Sequence, residues 1–357
     1  MFTVKISPTW KLGADELGAV HTGTLLTLLA AVQDHGGIAQ AARSVGLSYR
    51  TAWGQIQRAQ AAFGFPLIDA GRGRGSTLTA FGEKLIWADR RIAARLSPIL
   101  ESLSSELENE LDRALPRVPQ ALRLHASHGF AVAALADHLG AAHIPLELRY
   151  RNSFEAVAAL SSSECDLAGL HVPIGEFEAA AVQRYRRWLN PASHQLVELA
   201  TRNQGLFVLP GNPKRIRGIA DLRRPDLRFV NRPEGSGTRM LAELLLDKAG
   251  IRHDEVSGFE NTELTHAAVA AFIASGMADV GIGVETAAER FGLHFLPLLR
   301  ERYFFAMSRS ASAQPAMKRA LDLLRSAPVR ASIAALKGYD AGRTGRVLEL
   351  GVAFESW

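Results

Sequence analysis

Residues 36–64 read GGIAQAARSVGLSYRTAWGQIQRAQAAFG. Ile38, Ala41, Ala42 and Val45 recur at helical spacing, and so do Ala52, Ile56, Ala59 and Phe63. Each set marks one buried helix face. Between them lies VGLS, where Gly46 permits a sharp turn and Ser48 is a good N-cap for the next helix. Upstream, Leu25, Leu28, Leu29 and Val32 form a third stripe. Short helices with a glycine turn before the last one make a helix-turn-helix.

The last of these helices opens with Ser48, Tyr49, Arg50 and Thr51 and carries Gln57 and Arg58 away from its apolar stripe. A helix N-terminus attracts phosphate, and arginine or glutamine can read base edges in the major groove. PLIDAGRGRGSTLTAFG comes next, with short apolar runs on either side of a glycine–arginine loop. It reads as a hairpin wing whose Arg72 and Arg74 reach a phosphate backbone or minor groove. Between His21 and Leu100 nine basic residues stand against four acidic ones, the electrostatic footprint of a phosphate-binding surface. The plainer alternatives are a solvated arginine-rich face or a helical interaction domain.

At 357 residues the chain is too long for one ordinary core, and two or three domains are expected. The composition is globular: 47% hydrophobic and 22% charged residues, with a net charge of +5. One cysteine, Cys165, excludes an intrachain disulfide and fits a reducing compartment. No signal-peptide pattern opens the chain and no run of about 20 apolar residues occurs, so the expectation is a cytoplasmic protein without a membrane partner.

The segment GGIAQAARSVGLSYRTAWGQIQRAQAAFGFPLIDAGRGRGSTLTAFGEKLI resembles the N-terminal winged helix of ModE-type molybdate-responsive regulators and, more distantly, the LysR-type domain. GLSYRTAW and LTAFG carry the match, over roughly residues 20–90. Beyond it, Ile92, Leu96, Leu100, Leu103, Leu107 and Leu111 put one apolar stripe on a long helix, and such a stripe wants a partner helix. The resemblance implies a dimerisation helix; the alternative is packing on its own domain. Pro98 predicts a bend. LPRVPQ, residues 115–120, reads as a linker. A dimer would present two recognition helices to an operator of twofold symmetry.

After Gln120, short apolar runs alternate with helical patterns, which implies parallel sheets with function at the carboxyl ends of strands. Those ends share a chemistry. ALRLHASH ends in Ser127 and His128, PLELRYRNS in Asn152 and Ser153, and LRFVNRPEGSGTR in Arg232, Ser236, Gly237, Thr238 and Arg239. Hydroxyls, an arginine and the amides of a helix start make a site for a small oxyanion. In EGSGTR the glycines admit close backbone approach, Ser236 and Thr238 donate, and a helix from Thr238 to Ala249 aims its positive end at the ligand. His125 and His128 lack helical metal-ligand spacing and a third ligand, so no metal site is expected.

HASHGF, NSFEAVAALSSSECDLAGLHVP, RNQGLFVLPGNP, FVNRPEGSGTR and the run from Thr265 to Tyr303 look like a periplasmic-binding-protein-like domain related to molybdate- and tungstate-binding proteins. The resemblance implies a type II domain of two lobes, each with its own sheet, closing on a ligand. It makes Ser127, Ser153, Arg232 and Thr238 ligand contacts and puts Thr265 and His266 in a further matched motif. The expected organisation is a winged helix-turn-helix over 1–84, a connector over 85–120 and a two-lobed α/β sensor over 121–357.

A hydrolase built from Ser127, His128, Ser153 and Asp166 lacks a nucleophile elbow, since Gly235-Ser236-Gly237 has the wrong spacing. An architectural DNA binder with a ligand-free assembly domain is another class. The reading that uses both halves is a regulator, not an enzyme and without a cofactor. It would bind double-stranded operator DNA as a homodimer or homotetramer and sense molybdate, tungstate or another small anion.

Overall fold

The computed structural model describes residues 2–14, 18–71, 75–114, 121–355 and 357. They divide into two compact units, one of residues 7–96 and one of residues 1–6 with 97–357.

In the smaller unit β1 (Lys11–Ala14) and β2 (Gly18–His21) form an antiparallel pair. Then come α1 (Gly23–His35), α2 (Ile38–Ser44) and α3 (Tyr49–Phe63). A hairpin of β3 (Ile68–Gly71) and β4 (Gly75–Leu78) leads into α4 (Ala80–Arg113). The expected stripes are the core: Leu25, Leu28, Leu29 and Val32 meet Ile38, Ala41, Ala42, Ala52 and Ile56. Arg72 and Arg74 at the wing tip lie outside the described residues, as does the linker 115–120. Pro98 does not break α4, which is one helix from Ala80 to Arg113.

The larger unit is built on one mixed sheet. Its strands are β5 (Leu122–Ala126), β6 (Leu146–Tyr150), β7 (Leu167–Pro173), β8 (His194–Val208), β9 (Phe229–Val230), β10 (Val280–Val284) and β11 (His294–Ser308), with the short β12 (Tyr339–Asp340) and β13 (Val347–Glu349) pairing to β8. The order is β6-β5-β7-β11-β8-β10-β9. Helices α5 (Phe130–Ala141), α6 (Ser153–Ser161), α7 (Glu178–Tyr185), α8 (Gly237–Lys248), α9 (His266–Ala274) and α10 (Glu285–Arg290) connect the strands.

The expectation of a separate sheet in each lobe is corrected. β8 and β11 are 15 residues each, roughly 50 Å at the rise of an extended chain, and they pair antiparallel along their length. β7 pairs with one half of β11 and β10 with one half of β8, so both lobes share the two long strands. The polar stretches TRNQ (201–204) and RER (300–302) fall in mid-strand, where a hydropathy reading sees an interruption.

α4 meets this unit through its polar face. β6 is an edge strand, and edge strands leave backbone groups unpaired. Here Tyr150 N donates to Ser102 Oγ (3.0 Å), Leu148 N to Ser105 Oγ (2.9 Å), and Asn109 Nδ2 to Leu146 O (3.0 Å). A neighbouring helix face takes the N-terminal segment: the amides of Phe2, Val4 and Ile6 donate to Asp112, Glu108 and Ser104. Two extended residues advance about 6.6 Å and four helical residues about 6 Å, which keeps the two in step. Of the expected stripe Leu103, Leu107 and Leu111 are exposed, joined by Ile99, whereas Ile92, Leu96 and Leu100 are half-buried.

His125 on β5 is buried, and desolvation, with the charges of Arg151, Arg149 and Arg123, pushes its imidazole down to about 4. The unfolded chain therefore takes up this proton first as pH falls. Stability is expected to be flat above about pH 6.5 and to fall between there and about pH 4. His125 alone would contribute about 3 kcal/mol of that loss. Urea unfolding across this range, compared with His125→Gln, checks the assignment; an unchanged slope in the variant refutes it.

Candidate functional site

Several of the strand ends lie around one cavity. β5 runs out into Ser127 and His128, and Gly129 caps α5. Asn152 caps α6, accepting from Glu155 N at 2.9 Å while Glu155 accepts from Asn152 N. Ser236 caps α8 by accepting from Arg239 N (3.1 Å), and Thr265 caps α9 by accepting from Ala268 N (2.8 Å). A cavity of about 580 Å³ is bordered by Ser127, His128, Asn152, Arg232, Ser236 and Leu264. It therefore touches the N-terminal ends of α5, α6, α8 and α9, and helix N-termini favour negative charge.

Next to these loops the long strands carry a buried polar cluster. Arg202 Nε donates to Glu301 Oε1 (2.6 Å), and Gln204 Nε2 donates to the same oxygen (2.8 Å) and to Thr238 Oγ1 (3.3 Å). His171 Nδ1 bonds Ser153 Oγ (3.0 Å), and its ring lies 4.0 Å from that of Tyr303. Five buried atoms here have no protein partner: His171 Nε2, Gln204 Oε1, Arg232 Nε, His266 Nδ1 and Glu301 Oε2. Native interiors leave few such atoms, and here five gather in one cluster next to the cavity loops.

The electrostatics favour an anion. Burial, then the charge of Arg202, pushes the Arg232 guanidinium down to about 9, with Glu301 opposing. A guanidinium keeps its proton, so this burial is an unmet demand for negative charge. Desolvation, with Arg202 and Arg232, holds His171 and His266 well below their ordinary range and so neutral.

Ser127, His128, Arg232 and Ser236 border the cavity. Ser153 and Thr238 are joined to its neighbouring cluster through His171 and Gln204. Gly237 runs so close to β7 that a Cβ would lie 2.9 Å from His171 Cβ. Arg239 is elsewhere. It donates to Glu243 (3.2 Å), Glu260 (3.1 Å) and Phe259 O (3.0 Å) and lies over the Phe259 ring, because the register of α8 turns it toward its own lobe. The imagined hydrolase set is not assembled: Asp166 binds Arg123 (2.8 Å), and His128 bonds Glu101 (3.3 Å). His171, Arg202, Gln204 and Glu301 escaped the sequence reading. Their signal was charge and amide inside otherwise apolar strands.

In the smaller unit Ser48 accepts from Thr51 N (3.1 Å) and starts α3. Tyr49, Arg50, Thr51, Gln57 and Arg58 are exposed, and Tyr49 stacks on Trp53. Gly54 sits among them at helical spacing from Arg50, Gln57 and Arg58, and a Cβ there would meet nothing within 4 Å. No contact among the described residues requires that glycine.

The PBP superfamily domain profile matches residues 133–325. The chain belongs to the PBP superfamily. The profile of bacterial regulatory helix-turn-helix proteins of the lysR family matches residues 24–83, so this PBP-superfamily member is a LysR-type DNA-binding transcription regulator with a PBP-like effector domain. The uncharacterized protein YvgK of Bacillus subtilis (strain 168) is 33% identical over 218 residues, 60% of this chain and 69% of its own. Molybdenum-pterin-binding protein MopB of Rhodobacter capsulatus is 34% identical over 161 residues, 43% and 59%. Molybdenum transport protein ModE of Azotobacter vinelandii is 26% identical over 197 residues, 53% and 72%. Among the described residues no helix is long and apolar enough to cross a membrane, and no group of three or more His, Cys, Asp or Glu could hold a metal.

A glycine inside a helix costs about 1 kcal/mol relative to alanine. Gly54→Ala is expected to raise the unfolding free energy by about 0.5–1 kcal/mol and, on the expectation that this face of α3 meets the operator, to weaken DNA binding. Denaturation and fluorescence anisotropy on the same preparation check both signs; unimpaired DNA binding would assign the glycine no role.

Proposed function

We propose that the cleft of the effector domain binds a small oxyanion, with molybdate or tungstate foremost, and that occupancy alters operator binding by α3. The carrying observation is the pair of buried arginines, Arg202 and Arg232, beside buried atoms without protein partners and four helix starts. Two guanidiniums and one carboxylate leave the cluster with an excess of positive charge. The printed names of the Rhodobacter capsulatus and Azotobacter vinelandii relatives both refer to molybdenum, which supports the choice of anion. The regulated genes would then serve molybdenum or tungsten enzymes or their cofactor supply.

A second reading, another anionic metabolite, is favoured by one feature. The cavity of about 580 Å³ has apolar walls at Ile99, Leu103, Pro233 and Leu264, and such volumes suit an organic ligand.

Ser48 to Thr51, Gln57 and Arg58 would contact the operator, with Arg72 and Arg74 of the wing on its backbone. The exposed Leu107 and Leu111, beyond the cavity on the same helix, would pair with a second copy, since exposed large apolar side chains in a row are a mark of an interface. The product is a cytoplasmic dimer or tetramer. Residues 1–84 serve mainly as reader, 85–120 as connector and 121–357 as sensor.

Calorimetric titration with molybdate, tungstate, phosphate and sulfate tests the sensor. At 100 times its dissociation constant the ligand should add about 2.7 kcal/mol of stability. Arg232→Ala should abolish that gain and spare DNA binding. Arg50→Ala should do the reverse, weakening operator affinity about tenfold or more, the worth of a good base contact. Absence of any anion effect on the wild type would overturn the sensor reading. Leu107→Glu should yield monomers in sedimentation; a persistent oligomer would move the subunit contact elsewhere.

A further inference from the structure

The cavity is not enclosed by the two lobes alone. Pro98, Ile99, Ser102 and Leu103 of α4 line it as well. The helix is held there by the side chains of Ser102, Ser105 and Asn109 on the free edge of β6, so its presence at the cavity is a built contact. A further link runs from Glu101. Its carboxylate accepts from His128 Nε2 (3.3 Å) and from the Tyr150 hydroxyl. His128 and Tyr150 both border the cavity, with ring centroids 4.7 Å apart. α4 therefore meets the cavity in two ways, through apolar side chains directly and through a carboxylate that shares an imidazole with it.

We propose that α4 is a ligand-contacting element of the effector site. Ile99 and Leu103 close the cavity over the bound anion, and Glu101 competes with that anion for His128. This rests on the reading of the cavity as an anion site and names how that site is coupled to the rest of the chain. The physics is simple. Apolar cover excludes water and so strengthens each charge interaction beneath it. A second negative charge arriving beside the imidazole that Glu101 uses weakens the Glu101 contact. Occupied and empty sites then prefer different settings of the helix, the differential interaction that any ligand-driven change requires. The helix concerned is the same unbroken element that begins at Ala80, directly after the β3–β4 hairpin.

The test uses the full chain, with molybdate and phosphate as probes. Two quantities are measured: the dissociation constant of the probe, and the ratio of operator affinities with and without saturating probe. Leu103→Ala should weaken probe binding three- to tenfold. Glu106→Ala, on the same helix but exposed and off the cavity wall, should leave it within twofold. Glu101→Gln should retain or improve probe affinity, having removed a like charge, while driving the operator ratio toward one. The thermal midpoint without probe confirms that each variant folds. If the wild type binds neither probe, the anion-site reading fails and this inference with it. If the wild type binds a probe and Arg232→Ala does not, yet the Leu103 and Glu101 variants keep wild-type affinity and ratio, only the role of α4 is refuted. Equal losses in Leu103→Ala and Glu106→Ala would likewise refute it, since the effect would then be general to the helix.

Discussion

Arg202 and Glu301 face each other on β8 and β11, the two strands shared by both lobes. Both are almost fully buried. Taking two ions out of water costs several kcal/mol each, and their attraction repays this only when the remaining donors and acceptors are met. Here they are met in part: Arg202 also donates to the Tyr339 hydroxyl, Gln204 joins Arg202 on one carboxylate oxygen, and the other oxygen has no protein partner. Apolar residues could join two strands as well as an ion pair does. What the pair adds is a fixed set of charges beside the loops that carry Ser127, Arg232 and Ser236.

The neighbouring chemistry stems from that placement. Burial, reinforced by the two guanidiniums, keeps His171 and His266 neutral, so the imidazoles serve as hydrogen-bonding groups and add no charge. Gly237 lets the start of α8 come against His171, and Thr238 then reaches Gln204. Helix caps formed by Asn152, Ser236 and Thr265 point the right ends of three helices at the same region. Each device alone would be ordinary; together they leave two buried guanidiniums and several buried polar atoms without protein partners beside the same loops.

α4 shows how one helix divides its faces. Ser102, Ser105 and Asn109 cover the β6 edge, Ser104, Glu108 and Asp112 hold the first residues of the chain, and Leu103, Leu107 and Leu111 of the apolar stripe stay exposed. The stripe was legible at helical spacing. Use of small polar side chains to satisfy a strand edge leaves no periodic trace, so the docking of α4 was not. For the same reason residues 2–6 belong with the larger unit and not with the helix-turn-helix that comes after them.

The local elements could be read directly from the order of residues. Apolar periodicity set α1 to α3, Ser48 set the start of α3, and alternating strands and helices announced an α/β sensor whose hydroxyl-rich strand ends surround the cavity. These features depend on neighbours within a few residues, where propensity and capping act. Long-range packing alone makes β8 and β11 run unbroken through TRNQ and RER, turns Arg239 away, and gathers His171, Arg202, Gln204 and Glu301 into the polar cluster. A charged residue within a strand looks like an interruption until its partner, 99 positions away in the case of Arg202 and Glu301, is brought opposite to it. Pairings of that range are fixed by the packing of the whole sheet and leave no mark in any short stretch of chain.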